Sequence, residues 1–137
     1  MKTLRFIIMT LVACAFLASC GDNNKENKPL DVTGQWQLLD IQTKSVQIGD
    51  VPVEVFMEFK SDKTFTIWQK QGEGRHRKYT GTWVLTGNHM TGKYSDGKSW
   101  GAEYDVTVES DNLYMSETKK NMETYVYAKC TIPAELR

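Results

Sequence analysis

From Gly34 onward the sequence is a succession of short runs, apolar at every second position and ended by turn residues. A period of two places apolar side chains on one face of a strand and polar ones on the other. No stretch of the same region is amphipathic over enough residues to be read as a helix. Many short alternating strands with closely spaced turns predict an all-β barrel or sandwich. Joined in sequence, the strands form an antiparallel meander, and a meander with one apolar face can close on itself and lose its edges. The expected fold is therefore an eight-stranded antiparallel up-and-down β-barrel.

The strands are expected at about 34–44, 53–60, 64–71, 78–85, 89–94, 99–109, 113–118 and 122–130. In the second, Val53, Val55, Met57 and Phe59 share a face, with Glu54 and Glu58 opposite. In the third, Phe65 and Ile67 oppose Thr66, Trp68 and Lys70. Tyr79, Trp83 and Leu85 align in the fourth, Met90 and Tyr94 in the fifth, and Trp100, Tyr104, Val106 and Val108 in the sixth. Asp96-Gly97 predicts a type I′ hairpin, which needs positive φ at both central residues. A second turn is expected at Asp111-Asn112. Pro29, Pro52 and Pro133 all fall outside strand interiors, where proline would remove a ladder bond.

The N-terminal stretch is different in kind. Lys2 and Arg5 precede an apolar run, Phe6 to Phe16, too short for a permanent membrane span and of the form of a secretory signal. It ends in Leu17-Ala18-Ser19-Cys20, which resembles a bacterial lipoprotein signal at all four positions. The resemblance implies cleavage before Cys20 and a lipid on its sulfur. Residues 1–19 are then signal, 20–30 the lipidated cysteine and a polar flexible tether, and 31–137 the barrel domain. Gly21 rather than aspartate follows the cysteine, so the expected location is the cell envelope, lipid-anchored in the outer membrane.

The chain has 137 residues and three cysteines, with a formal net charge of zero. Losing Lys2 and Arg5 leaves it mildly acidic, which gives no reason to expect nucleic acid. Cys14 leaves with the signal and Cys20 takes lipid, so Cys130 has no disulfide partner and is read as a packing residue near the last strand.

Gly34-Gln35-Trp36 on the first strand, the eight-strand meander and a cation at Lys129 resemble the lipocalin-like (calycin) family, particularly its small bacterial lipoproteins. The resemblance implies that Trp36 packs at the closed base of the barrel with Lys129 over its ring, Gly34 belonging to the same structural base. Lysine stands where arginine is usual, a second motif of the Thr-Asp-Tyr kind is absent, and no helix is expected after the barrel.

In a meander, alternate loops gather at one end. That end carries Lys44, Arg75, His76, Arg77, Lys78, Lys98, Lys119 and Lys120 against Asp50, Glu73, Asp96 and Glu117. A net basic rim on an acidic chain suggests attraction for an anionic group, such as the head of a fatty acid or another amphipathic carboxylate, the alternative being charges that only solvate the loops. The inward residues expected to line a ligand site are Val55, Met57, Phe59, Phe65, Ile67, Tyr79, Trp83, Met90, Tyr94, Trp100, Tyr104 and Met115, with Arg75 and Arg77 at the rim. Gly81, Gly92 and Ala102 are expected to add space on the same faces. Two readings stay open. A hollow barrel binds a small hydrophobic or amphipathic ligand. A barrel filled by its own rings acts as an interaction protein, such as an inhibitor or envelope assembly factor, through its long loops or its exposed aromatics Phe56 and Trp68. No cofactor or metal is expected: His76 and His89 have no spacing that pairs them. Glu54 and Glu58 lie on the polar face, and no nucleophile elbow or phosphate loop is present. The expectation is a binding protein and not an enzyme.

Overall fold

The computed structural model describes residues 28–42, 52–119 and 122–137. The signal, Cys20 and most of the tether lie outside these residues, as do Lys44, Asp50 and Lys120. Eight antiparallel strands follow one another: β1 Gly34–Gln42, β2 Val53–Phe59, β3 Thr64–Gln71, β4 Arg77–Thr86, β5 His89–Tyr94, β6 Tyr104–Glu109, β7 Asn112–Glu117 and β8 Thr124–Lys129. Each pairs with the next, and β1 pairs with β8, so the sheet is a closed barrel in simple sequence order. This is the fold the alternation predicts.

The base is closed by the first strand. Trp36 is 1% exposed, and its Nε1 donates to the carbonyl of Val32 at 2.9 Å. Lys129, opposite Trp36 in the β1–β8 register, holds its Nζ 5.9 Å from the indole centroid. Gly34 has φ +134, a region that an L side chain rarely adopts, so the turn into β1 needs glycine. A second tryptophan is held in the same way. Trp83 Nε1 donates to the Thr64 carbonyl at 3.1 Å, and Lys63 Nζ lies 4.0 Å above the ring. Above these sit Phe59, Phe65, Met90, Val106 and Leu113, all at or below 1% exposure.

The turns depart from expectation. At 94–98, Gly97 N–H donates to the Tyr94 carbonyl and Tyr94 N–H to the Lys98 carbonyl, and φ is positive at Gly97 but not at Asp96. This is a three-residue loop ending in a bulge, and Lys60–Thr64 repeats it with Lys63 at φ 67. The type I′ signature falls instead on Ser110 (φ 48) and Asp111 (φ 66), one residue before the expected turn. The sixth strand is also shorter than predicted. β6 starts at Tyr104 and meets β5 only at His89↔Asp105 and Met90↔Tyr104. The preceding residues form a loop, and Trp100 enters the barrel from that loop.

Phe56 and Trp68 are not exposed aromatics. They point away from the barrel interior yet are 6% and 4% exposed, because the segment after β8 folds back over them. Ile132 (2% exposed) completes this outer cluster, with Cys130 and Leu136 packed against it. The segment is held by Gln35, whose carbonyl accepts from Cys130 N–H at 3.0 Å and whose Oε1 accepts from Ile132 N–H at 2.9 Å. Gln35 Nε2 in turn donates to Glu58 at 3.0 Å. A short 3-10 turn, Ala134–Leu136, follows.

These contacts carry two predictions. Trp36→Ala should cost about 3–5 kcal/mol in urea unfolding, whereas Lys129→Gln, losing an exposed cation–π contact and a surface ion pair with Asp111 at 3.9 Å, should cost about 0.5–1 kcal/mol. Equal costs would contradict the assignment of base closure to the buried indole. Ile132→Asp should uncover Trp68 and raise iodide quenching of the indole fluorescence; unchanged quenching would mean that the segment does not cover it.

Candidate functional site

Toward the opposite end the inner face stops being filled. A cavity of about 220 Å³ is walled by Leu38, Ile41, Val53, Val55, Met57, Ile67, Gln69, Tyr94, Trp100, Gly101, Tyr104, Met115, Tyr125 and Tyr127. Of the lining predicted from sequence, Val55, Met57, Ile67, Tyr94, Trp100, Tyr104 and Met115 are brought together here. Phe59, Phe65, Trp83 and Met90 share the same strand faces but lie nearer the base, in the filled core, and do not wall the cavity. Tyr79, Arg75 and Arg77 lie at the rim.

Residues missed from sequence have traceable causes. Val53, Gln69, Tyr125 and Tyr127 each continue an inward alternation (Tyr125 pairs with Met115, Tyr127 with Leu113). Their signal was present in the period of two. Ile41 is different. Strict alternation from Trp36 and Leu38 would turn Asp40 inward, but the β1–β8 register slips between Leu38 and Asp40, a bulge that moves Ile41 inward and leaves Leu39 61% exposed.

The glycines do not leave the expected space. A Cβ at Gly92 would overlap the Trp100 indole, which occupies the room the missing side chain provides. A Cβ at Gly81 would overlap the Lys93 carbonyl, so Gly81 permits close approach of β4 and β5. Trp100 packs on Phe65 (centroids 5.2 Å), Phe59 (6.4 Å) and Tyr104 (6.0 Å), and Tyr104 on Tyr125 (6.0 Å). Ring contacts run continuously from the packed base into the cavity wall.

Burial raises the tyrosine hydroxyls of this wall above their ordinary range. Tyr104 is pushed up to about 12, by burial first and then by the Glu117 carboxylate. Tyr94 and Tyr127 are raised by burial, and Tyr125 by burial and by the hydrogen bond it donates to Glu123 Oε2 at 2.7 Å. Glu117 pairs with Tyr104 across β6–β7 and is 8% exposed, far from the solvated rim position expected for it. Its Oε2 and the Trp100 Nε1 are buried without hydrogen-bond partners among the described residues.

Beside the cavity lies a second depression of about 510 Å³, lined by Gln69, Gln71, Gly74, Arg75, His76, Arg77 and Tyr79. It shares Gln69 with the cavity. Neither arginine forms an ion pair among the described residues. His76 Nε2 lies 3.4 Å from Glu54 Oε2, whose carboxyl is held below its usual range by Lys70 at 2.8 Å. His89 is remote, at 3.2 Å from Asp105 and 3.4 Å from Glu103. Cys130 is half-buried, and burial pushes its thiol up.

The neutral tyrosines predict a pH response. Above about pH 10 an unfolded chain releases phenolic protons that the folded chain retains. The unfolded state then binds fewer protons, so stability falls as pH rises, through the range up to about 12 set by Tyr104. Tyrosinate absorbance should rise late and together with unfolding, and Tyr104→Phe should lessen the alkaline loss. An identical alkaline profile in the variant would contradict the burial of this hydroxyl.

The profile of the lipocalin-like domain matches residues 32–115 of the chain. The match ends within β7, and the remaining part of β7 with β8 completes the same barrel. No curated protein matches the chain.

Proposed function

Because the chain belongs to the lipocalin-like domain family, we propose that it is a binding protein for a small amphipathic molecule, anionic at one end, held in the upper half of the barrel. The observation that carries this reading is the shared wall at Gln69. An aromatic and aliphatic cavity adjoins a depression with two arginines that form no ion pair among the described residues. An apolar body would fill the first and an acid group would meet Arg75 and Arg77 in the second. Convergent polar groups beside an apolar pocket are the usual form of a small-molecule site, and a guanidinium pair suits a carboxylate or phosphate. The reading needs no catalytic group and no cofactor.

The same proposal places the protein in a bacterial envelope, on a lipid carried by Cys20. Residues 28–33 lead into β1 at the closed base, where Val32 and Trp36 meet. A tether from Cys20 would therefore hold the base toward the membrane and leave the cavity end facing away from it. Metabolic labelling with palmitate should mark the full chain and not Cys20→Ser. Equal labelling would remove the anchor from this reading.

Every strand of the closed barrel lies within residues 34–129, so a chain starting at Gly21 keeps the whole fold. Native mass spectrometry of that form, purified from its own cell extract, should show a retained small-molecule mass that organic solvent strips. Tyr104→Arg should abolish retention in a folded protein, and Arg75→Glu with Arg77→Glu should weaken it. A bare mass, together with no uptake of added hydrophobic probes, would refute the hollow-barrel reading.

A further inference from the structure

Trp100 lies at the boundary between the filled base and the cavity, and three observations fix it there. Its backbone N–H donates to the Gly92 carbonyl at 2.9 Å. Its indole rests on Gly92, where any Cβ would overlap it. Its ring contacts Phe59 and Phe65, which belong to the core, and Tyr104, which walls the cavity. A side chain held at both backbone and ring, among close-packed neighbours, does not swing aside for a ligand at small cost.

Resting on the binding reading above, we infer that Trp100 is the specificity-determining floor of the site, and that it restricts the ligand to a compact acid: one ring, or a short chain, ending in an anionic group. The size argument is direct. An apolar cavity of about 150 Å³ holds a benzene molecule. The cavity here is about 220 Å³, below the roughly 300 Å³ at which sites for drug-sized ligands begin. The cavity by itself has room for a ring with a short substituent, and a long acyl chain directed down the barrel axis meets the indole. The wall of Tyr94, Trp100, Tyr104, Tyr125 and Tyr127 favours an aromatic occupant through edge-to-face contacts. This narrows the fatty-acid expectation raised by the basic rim to its shortest members and to single-ring acids.

The test is a binding series on the chain from Gly21, using phenylacetate, hexanoate, octanoate, dodecanoate and hexadecanoate, read by native mass spectrometry and by quenching of tryptophan fluorescence. The wild type should bind phenylacetate and octanoate and take hexadecanoate at least roughly tenfold more weakly. Trp100→Ala should open the floor and raise hexadecanoate affinity by roughly tenfold or more. Trp100→Phe, which keeps a ring on Gly92, should move the length limit by a smaller step and serves where the alanine variant does not fold. Hexadecanoate binding the wild type as tightly as octanoate would overturn the inference, as would an unchanged length preference in a folded Trp100 variant. Both results leave the binding reading standing. If neither these acids nor a nonionic hydrophobic dye binds the wild type, the binding reading and this inference fail together.

Discussion

The pairing of β1 with β8 is the constraint on which the rest of the molecule depends. It turns a meander into a barrel, removes both exposed edges, and gives the inner face an inside to bury. Three consecutive residues serve it in different ways. Gly34 supplies the backbone angle that starts the strand. Trp36 fills the base and is steadied by Val32 and Lys129. Gln35 points the other way and holds the returning C-terminal segment through its carbonyl and its side-chain amide. The closure is thus secured from both faces of one strand, and the outer apolar pair Phe56 and Trp68 is covered as a consequence.

With Cys130 unpaired among the described residues, stability of the barrel comes from packing, and the packing is uneven along the barrel axis. Large rings and branched chains fill the half near the base. The other half is lined by tyrosines and methionines and keeps a cavity. This division follows from where bulk falls in the sequence. Phe59, Phe65, Trp83 and Trp100 converge at one level, and Gly92 makes room for the last of them. Toward the rim the inward positions become Gln69, Tyr79 and Arg77, which carry polar groups to the edge of an apolar space. A single barrel thereby has a solid foundation and a chemically two-sided upper end.

Much of this was legible from residues alone, because a backbone period of two leaves little freedom once one face is buried. The strand order, the closed barrel and the inward rows of β2 and β3 follow from that period. What escaped depends on events that local pattern does not encode. The bulge at Leu39 shifts the phase, so Ile41 and not Asp40 faces inward. Trp100 continues an alternating run, yet it belongs to a loop whose indole drops onto a glycine of the neighbouring strand. Phe56 and Trp68 sit on a face that alternation marks as outward. Their burial is decided by Ile132, distant in sequence and delivered by Gln35. The turn types moved by a residue for a related reason: Asp-Gly fits both a type I′ turn and a bulged three-residue loop, and the register of the flanking strands decides between them.

The central claim is a barrel filled below Trp100 and hollow above it. Diffraction from crystals under xenon pressure addresses it without knowledge of the ligand, since xenon enters dry apolar cavities. The account predicts a xenon site among Met57, Tyr104, Met115 and Tyr125, and none between Trp100 and Trp36. Xenon near Trp36 and Trp83, or no xenon in the barrel at all, would contradict it.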